Sequence, residues 1–196
     1  MIVAAGSVTE FFREAVHDAL QTRCVEAPGG VTNYLVAVLS DYAHPDERTE
    51  QALGRPLAFQ LDEALHTVDL AERFERLRSL GDNVLYCSSF FSDHFESKGV
   101  DQSYLVSIGT RAYDGAGAML GPTQPEVSIF PQLASRFSQF VDVLTEVADA
   151  TSTMGLATSH SVLKVYERWR KTGSARLAKA LSSQGILPGR KVEGIQ

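Results

Sequence analysis

Two Glu-x-x-His pairs, Glu14 with His17 and Glu63 with His66, come nearest in type and spacing to a metal centre. Di-iron proteins built on helical bundles use two such pairs, with one further Glu from each of two other helices, all pointing inward. Helical geometry turns the present pairs the other way. At about 100° per residue, the apolar side of the first pair's helix centres near Ala19, roughly opposite Glu14 and His17. Glu63 and His66 likewise miss the stripe of Leu57, Leu61 and Ala64. Both pairs read as solvated faces, and no metal ligand is assigned.

Other chemistry is sparse. The chain has no Gly-Lys-Ser/Thr phosphate loop, no His-Glu-x-x-His and no Gly-x-Ser-x-Gly. Gly115, Gly117 and Gly121 are spaced one residue too widely for a dinucleotide fingerprint and follow no strand. Asp93 and His94 close a helix, where a His is favoured by the dipole without any catalytic part. No catalytic residue or cofactor follows. A ligand pocket is the more open question. Tyr86, Cys87, Ser88 and Ser89 lie in an apolar stretch facing a helix with Tyr104, Arg111 and Tyr113. Small side chains opposite aromatics give either tight packing or a cavity, so Tyr86, Ser88, Tyr104 and Arg111 are the pocket candidates. Asp82 and Arg111 are the nearest charges, and an ion pair between them is expected to be structural.

The elements that must position these residues are helical throughout, with no strand alternation. Ser7 and Glu10 have capping-box spacing ahead of Phe11, Phe12, Ala15, Val16, Ala19 and Leu20. Pro28-Gly29-Gly30 breaks the chain before a second helix, with Thr32 as cap and His44-Pro45-Asp46 as stop. A short helix spans Pro56 to His66. Leu70, Phe74, Leu77, Gly81, Val84, Ser88, Phe91 and Phe95 then recur at alternating steps of four and three. That register predicts one helix of about 25 residues, with Gly81 admitting a close neighbour. Gly99 and Asp101 mark a hairpin into a helix rich in small residues that ends at Gly121 to Pro125. Phe130 to Val147 reads as one further helix, Thr151 to Ser159 as a linker, and Gly173-Ser174 as the turn between two last helices. The expected fold is all-α: a single-domain bundle of seven to eight helices over 1–196, with a long central helix hairpin.

Composition agrees with a globular chain. Its 196 residues are 44% hydrophobic and 21% charged, with 2 Cys, which excludes a disulfide scaffold, a collagen-like repeat and a disordered polyelectrolyte. The longest uncharged runs, Ala27 to Ser40 and Ala150 to Leu163, fall short of the roughly 20 residues that cross a bilayer. Glu10 interrupts any signal-peptide core, and Cys24 and Cys87 form no Cys-x-x-Cys. A cytoplasmic protein with no membrane partner is expected. The net charge of −6 conceals a division into an acidic bundle over 1–160, basic C-terminal helices over 161–185 and a loosely ordered tail over 186–196. Lys164, Arg168, Arg170, Lys171, Arg176 and Lys179 make the basic segment the expected contact surface for an acidic partner. Nucleic acid is disfavoured, because the whole chain is acidic and no recognition-helix pattern precedes Pro188-Gly189.

The stretches GDNVLYCSSFFSDHFESKGVDQSYLVSIGTRAY (Gly81 to Tyr113) and VYERWRKTGSARLAKAL (Val165 to Leu181) resemble a family of all-helical bacterial cytoplasmic proteins. The resemblance implies this helix order and carries no activity, cofactor or site with it. The residues favour a non-enzymatic helical protein acting through protein–protein contacts, regulatory or structural, with self-association among them. The alternative is a small-molecule binder or enzyme with an apolar pocket in the central hairpin.

Overall fold

Amphipathic stripes recurring every three to four residues can bury themselves only against other helices, and the computed structural model shows that outcome. It describes residues 5–43, 55–120, 128–154 and 159–186, and among these every regular element is a helix. In chain order they are α1 (Ala5–Thr22), α2 (Gly29–Tyr42), α3 (Leu57–His66), α4 (Leu70–Phe90), α5 (Ser92–Ser97), α6 (Gln102–Met119), α7 (Ile129–Ser135), α8 (Phe137–Met154), α9 (Ser159–Thr172) and α10 (Ala175–Ser183).

Ten helices among the described residues exceed the expected seven to eight because single residues break two periodic stretches. Phe91 leaves helical geometry (φ −125°, ψ 28°), so the expected 25-residue helix stops at Phe90 and α5 follows as a short separate turn. Arg136 (φ −124°, ψ 25°) divides α7 from α8 in the same way. At this break the Arg136 guanidinium is engaged on three sides: Nη1 donates to the Glu26 carbonyl at 2.5 Å, Nε donates to Gln139 at 2.7 Å, and the group lies 5.3 Å from the centre of the Phe140 ring. Two proposed caps also shift. α1 begins at Ala5, so Ser7 lies inside it, and α2 begins at Gly29, leaving Thr32 to hydrogen-bond back to the Pro28 carbonyl. Asp101 and Ser174 do cap α6 and α10, accepting from the backbone N–H groups of Ser103 (2.6 Å) and Leu177 (3.4 Å). Gly99 and Gly173 take the left-handed conformation at the preceding helix ends (φ +73° and +64°). The expected breaks at His44-Pro45-Asp46 and Gly121 to Pro125 lie outside the described residues.

Chain contacts group into two compact units, 1–145 and 146–196. The sequence reading draws one domain with a change of charge after residue 160; the observed division falls earlier, inside α8, because the second unit takes in Glu146 and Asp149. Within the first unit, α4 packs chiefly on α6, α6 on α7, and α1 on α2. Val16, Leu35, Leu39, Leu85, Leu105 and Leu144 are fully buried there. Each such side chain contributes about 1.5–3 kcal/mol relative to exposure. In the second unit, Val165 and Trp169 of α9 meet Leu177 and Leu181 of α10.

Glycines set the closest approaches. A Cβ on Gly81 of α4 would lie 2.6 Å from the Tyr113 ring, and one on Gly109 of α6 would lie 2.1 Å from the Phe137 ring. Phe137 is itself fully buried and has no room to yield. Gly109→Ala is therefore expected to lower stability by about 1–3 kcal/mol through overpacking, read as a reduced midpoint in urea with an unchanged m-value. A gain in stability, as for a Gly→Ala change in an unobstructed helix, would contradict this account of α6.

Candidate functional site

Among the described residues, the first unit carries one strongly polar interior feature. Arg78 and Asp82 are four residues apart on α4 and so share a face. Asp82 is only 5% exposed. Its Oδ1 accepts from the Tyr34 hydroxyl of α2 at 2.6 Å and from the Tyr113 hydroxyl of α6 at 2.8 Å. Its Oδ2 accepts from Arg78 Nη1 at 3.1 Å. One carboxylate thus ties three helices together, and Gly81 beside it lets the Tyr113 ring come close enough to reach it. Phe130 packs edge-on to Tyr34 and to Phe74, walling the cluster with hydrocarbon.

The electrostatics follow from that burial. Desolvation pushes the Asp82 carboxyl up to about 6, against the opposing pull of the Tyr34 and Tyr113 hydrogen bonds and of Arg78. Burial, then the Asp82 charge, holds the Tyr34 and Tyr113 hydroxyls above the usual phenol range, so both remain donors. Burial alone raises the Cys87 thiol to about 12, which keeps it a thiol and a poor nucleophile. Beside the cluster, the Tyr42 hydroxyl donates to Asn83 Oδ1, and the rings of Tyr42, Tyr86 and Phe90 stack at 4.5 and 4.6 Å.

On the solvent side of Arg78, α3 and α4 enclose an open groove of about 470 Å³. Arg55, Glu63, Glu72, Glu75, Arg76 and Arg78 form its charged wall, and Ser79 and Asn83 add neutral polar groups. Arg78 belongs to both places. Its Nη1 holds the buried carboxylate, while Nε and Nη2 hold Glu75 at 3.2 and 2.8 Å.

The four pocket candidates take other positions, and none lines this groove. Ser88 is buried and donates to the Val84 carbonyl at 2.6 Å. Tyr86 sits in the aromatic stack. The Tyr104 hydroxyl accepts from the backbone N–H of Ala58 at 3.1 Å, satisfying a donor in the first turn of α3. Arg111 is exposed, and the arginine that pairs with Asp82 is Arg78. The Glu-x-x-His pairs face solvent: His17 contacts Gln21, His66 contacts Asp62, and Glu63 pairs with Arg55.

The six basic residues expected to form a contact surface divide by burial. Arg168 Nε donates to Asp149 Oδ1 at 2.5 Å, and Arg176 Nε donates to Glu146 Oε1 at 2.8 Å. Asp149 is fully buried, and its Oδ2 has no hydrogen-bond partner among the described residues. Two arginines expected to face a partner thus engage acids three residues apart on α8. Lys164, Arg170, Lys171 and Lys179 are exposed.

No family model, curated protein or solved structure matches the chain. Among the described residues no helix is long and apolar enough to cross a membrane.

Proposed function

We propose that this chain is a helical protein that acts through protein contacts rather than catalysis, and that it associates with a second copy of itself through the corner where α3 meets α4. One observation carries the reading. Of eight large apolar side chains exposed among the described residues, Phe59, Leu65, Val68 and Leu70 fall within twelve residues of chain, and Tyr104 is hydrogen-bonded to the same helix. Val68 is 90% exposed and Leu70 66%. Scattered surface apolar groups need no explanation, whereas a concentration of them marks a contact surface. Lys164, Arg170 and Lys179 supply a separate basic surface suited to an acidic partner.

Sedimentation velocity over a range of concentrations tests the reading. The native chain is expected to form a dimer at micromolar concentration, and Val68→Glu with Leu70→Glu to return it to monomer. Compared at concentrations where the native chain is monomeric, the variant's unfolding free energy should stay within about 0.5 kcal/mol of native, since neither side chain is buried and a Glu in the first turn of α4 suits the helix dipole. A native chain that stays monomeric at hundreds of micromolar, or a variant that dimerises equally well, overturns it.

A further inference from the structure

We infer that the groove between α3 and α4 is a binding site for a small zwitterion, a molecule bearing both a carboxylate and an ammonium group such as a free amino acid. The inference does not depend on the association proposed above. A volume of about 470 Å³ lies within the range of small-molecule sites, although this one is walled by charge rather than hydrocarbon.

The chemistry of the wall selects the ligand. Three guanidiniums each face a carboxylate across or along it: Arg55 and Glu63 at 2.6 Å, Arg76 and Glu72 at 2.7 Å, Arg78 and Glu75 at 2.8 Å. The Arg55 and Arg76 pairs are about half exposed, so each is worth little and opens at small cost. The six charges of the three pairs cancel. An anion bound alone would leave this balanced wall with one negative charge in excess, and a cation alone with one positive charge in excess. A zwitterion placed between an arginine and a glutamate replaces one ion pair with two and strands no charge.

The donor inventory agrees. A guanidinium carries five N–H donors in a fixed fork. Arg55 uses one of them on Glu63, and Arg76 uses an Nε–H and an Nη2–H on Glu72. Among the described residues both keep N–H groups for a ligand carboxylate, and charge-assisted bonds of that kind are the strong ones. Ser79 and Asn83 provide neutral polar groups beside them.

Calorimetric titration of the full chain with each standard free amino acid at millimolar concentration tests this. At least one is expected to bind, and its N-acetyl and its amide derivatives, each lacking one of the two charges, should each bind at least tenfold more weakly. Arg76→Gln and Arg55→Gln are each expected to weaken the same titration several-fold without moving the unfolding midpoint. In the native protein the backbone amide signals of Ser79 and Asn83 should shift on binding, a readout independent of any variant. Failure of every free amino acid to bind overturns the assignment. So does equal binding of the derivatives, or binding that leaves those two amides and both variants unaffected.

Discussion

Replacing Asp149 with alanine lowers the unfolding free energy by about 3–5 kcal/mol, the usual cost of removing one partner from a buried ion pair. Arg168 is 13% exposed on its side chain and donates through Nε to a carboxylate that solvent does not reach. Without that carboxylate the guanidinium keeps its desolvation cost and loses the buried anion to which Nε donates. Two further variants separate charge from packing. Asp149→Asn retains an acceptor for Nε, so it should cost less than the alanine change. Asp149→Leu combined with Arg168→Met removes both charges at similar volume and should recover most of the lost stability. Urea titrations followed by circular dichroism give all three values. High salt should not rescue Asp149→Ala, because screening acts weakly on buried charge. An alanine variant within about 1 kcal/mol of native would mean that the contact is not maintained in solution.

Asp82→Leu in the first unit is expected to cost about 3 kcal/mol or more at neutral pH, since it leaves the Tyr34 and Tyr113 hydroxyls without their acceptor and Arg78 without its inner partner. Asp82→Asn keeps an acceptor oxygen and removes the charge, so it should be much milder. Their pH dependence is the sharper test. The carboxyl ionises near 6 in the folded chain against an ordinary value of 3.8, so the folded state holds its proton more tightly than the unfolded state does. Its stabilising contribution is complete below the unfolded value and is lost as pH rises through about 6. Relative to Asp82→Asn, the native chain should therefore gain on the order of 3 kcal/mol between pH 7.5 and pH 3.5. The contacts set a limit on this gain. Every hydrogen bond to Asp82 comes from a donor, so the incoming proton competes with one of them, most readily with Arg78 at 3.1 Å. A difference curve that is flat, or that rises towards alkaline pH, would contradict the assigned environment.

How much of this was legible in the sequence depends on the distance over which each feature is determined. The middle of the stripe, Leu77, Gly81, Val84 and Ser88, marks the buried face of α4, because same-face recurrence is a local property, whereas Leu70 and Phe91 of the same stripe are exposed. The same count misses the breaks at Phe91 and Arg136, since one residue leaving helical geometry does not erase a repeat. Arg136 is held by a carbonyl 110 residues away, which no local pattern contains. The central cluster shows the same limit. Asp82 and Gly81 were visible as a charge and a small residue in an apolar run, and Arg78 stood one turn away. The two tyrosines come from 48 and 31 residues along the chain. Sequence also gives the sign of Arg168 and Arg176 without their partners, so residues that close inward read as a contact surface. The groove left no periodic signal: its wall is made of the polar positions that an amphipathic reading assigns to solvent.

Trp169 is the chain's one tryptophan, and it lies in the small core where α9 meets α10. Four of the six tyrosines, Tyr34, Tyr42, Tyr86 and Tyr113, belong to the ring contacts of the first unit. The molecule thus carries its own spectroscopic labels. Emission excited at the red edge of the absorption band reports the second unit, whereas tyrosine absorbance is weighted towards the first. Coincident melting curves from the two signals would identify a single cooperative transition, and separated curves would show the units melting one after the other.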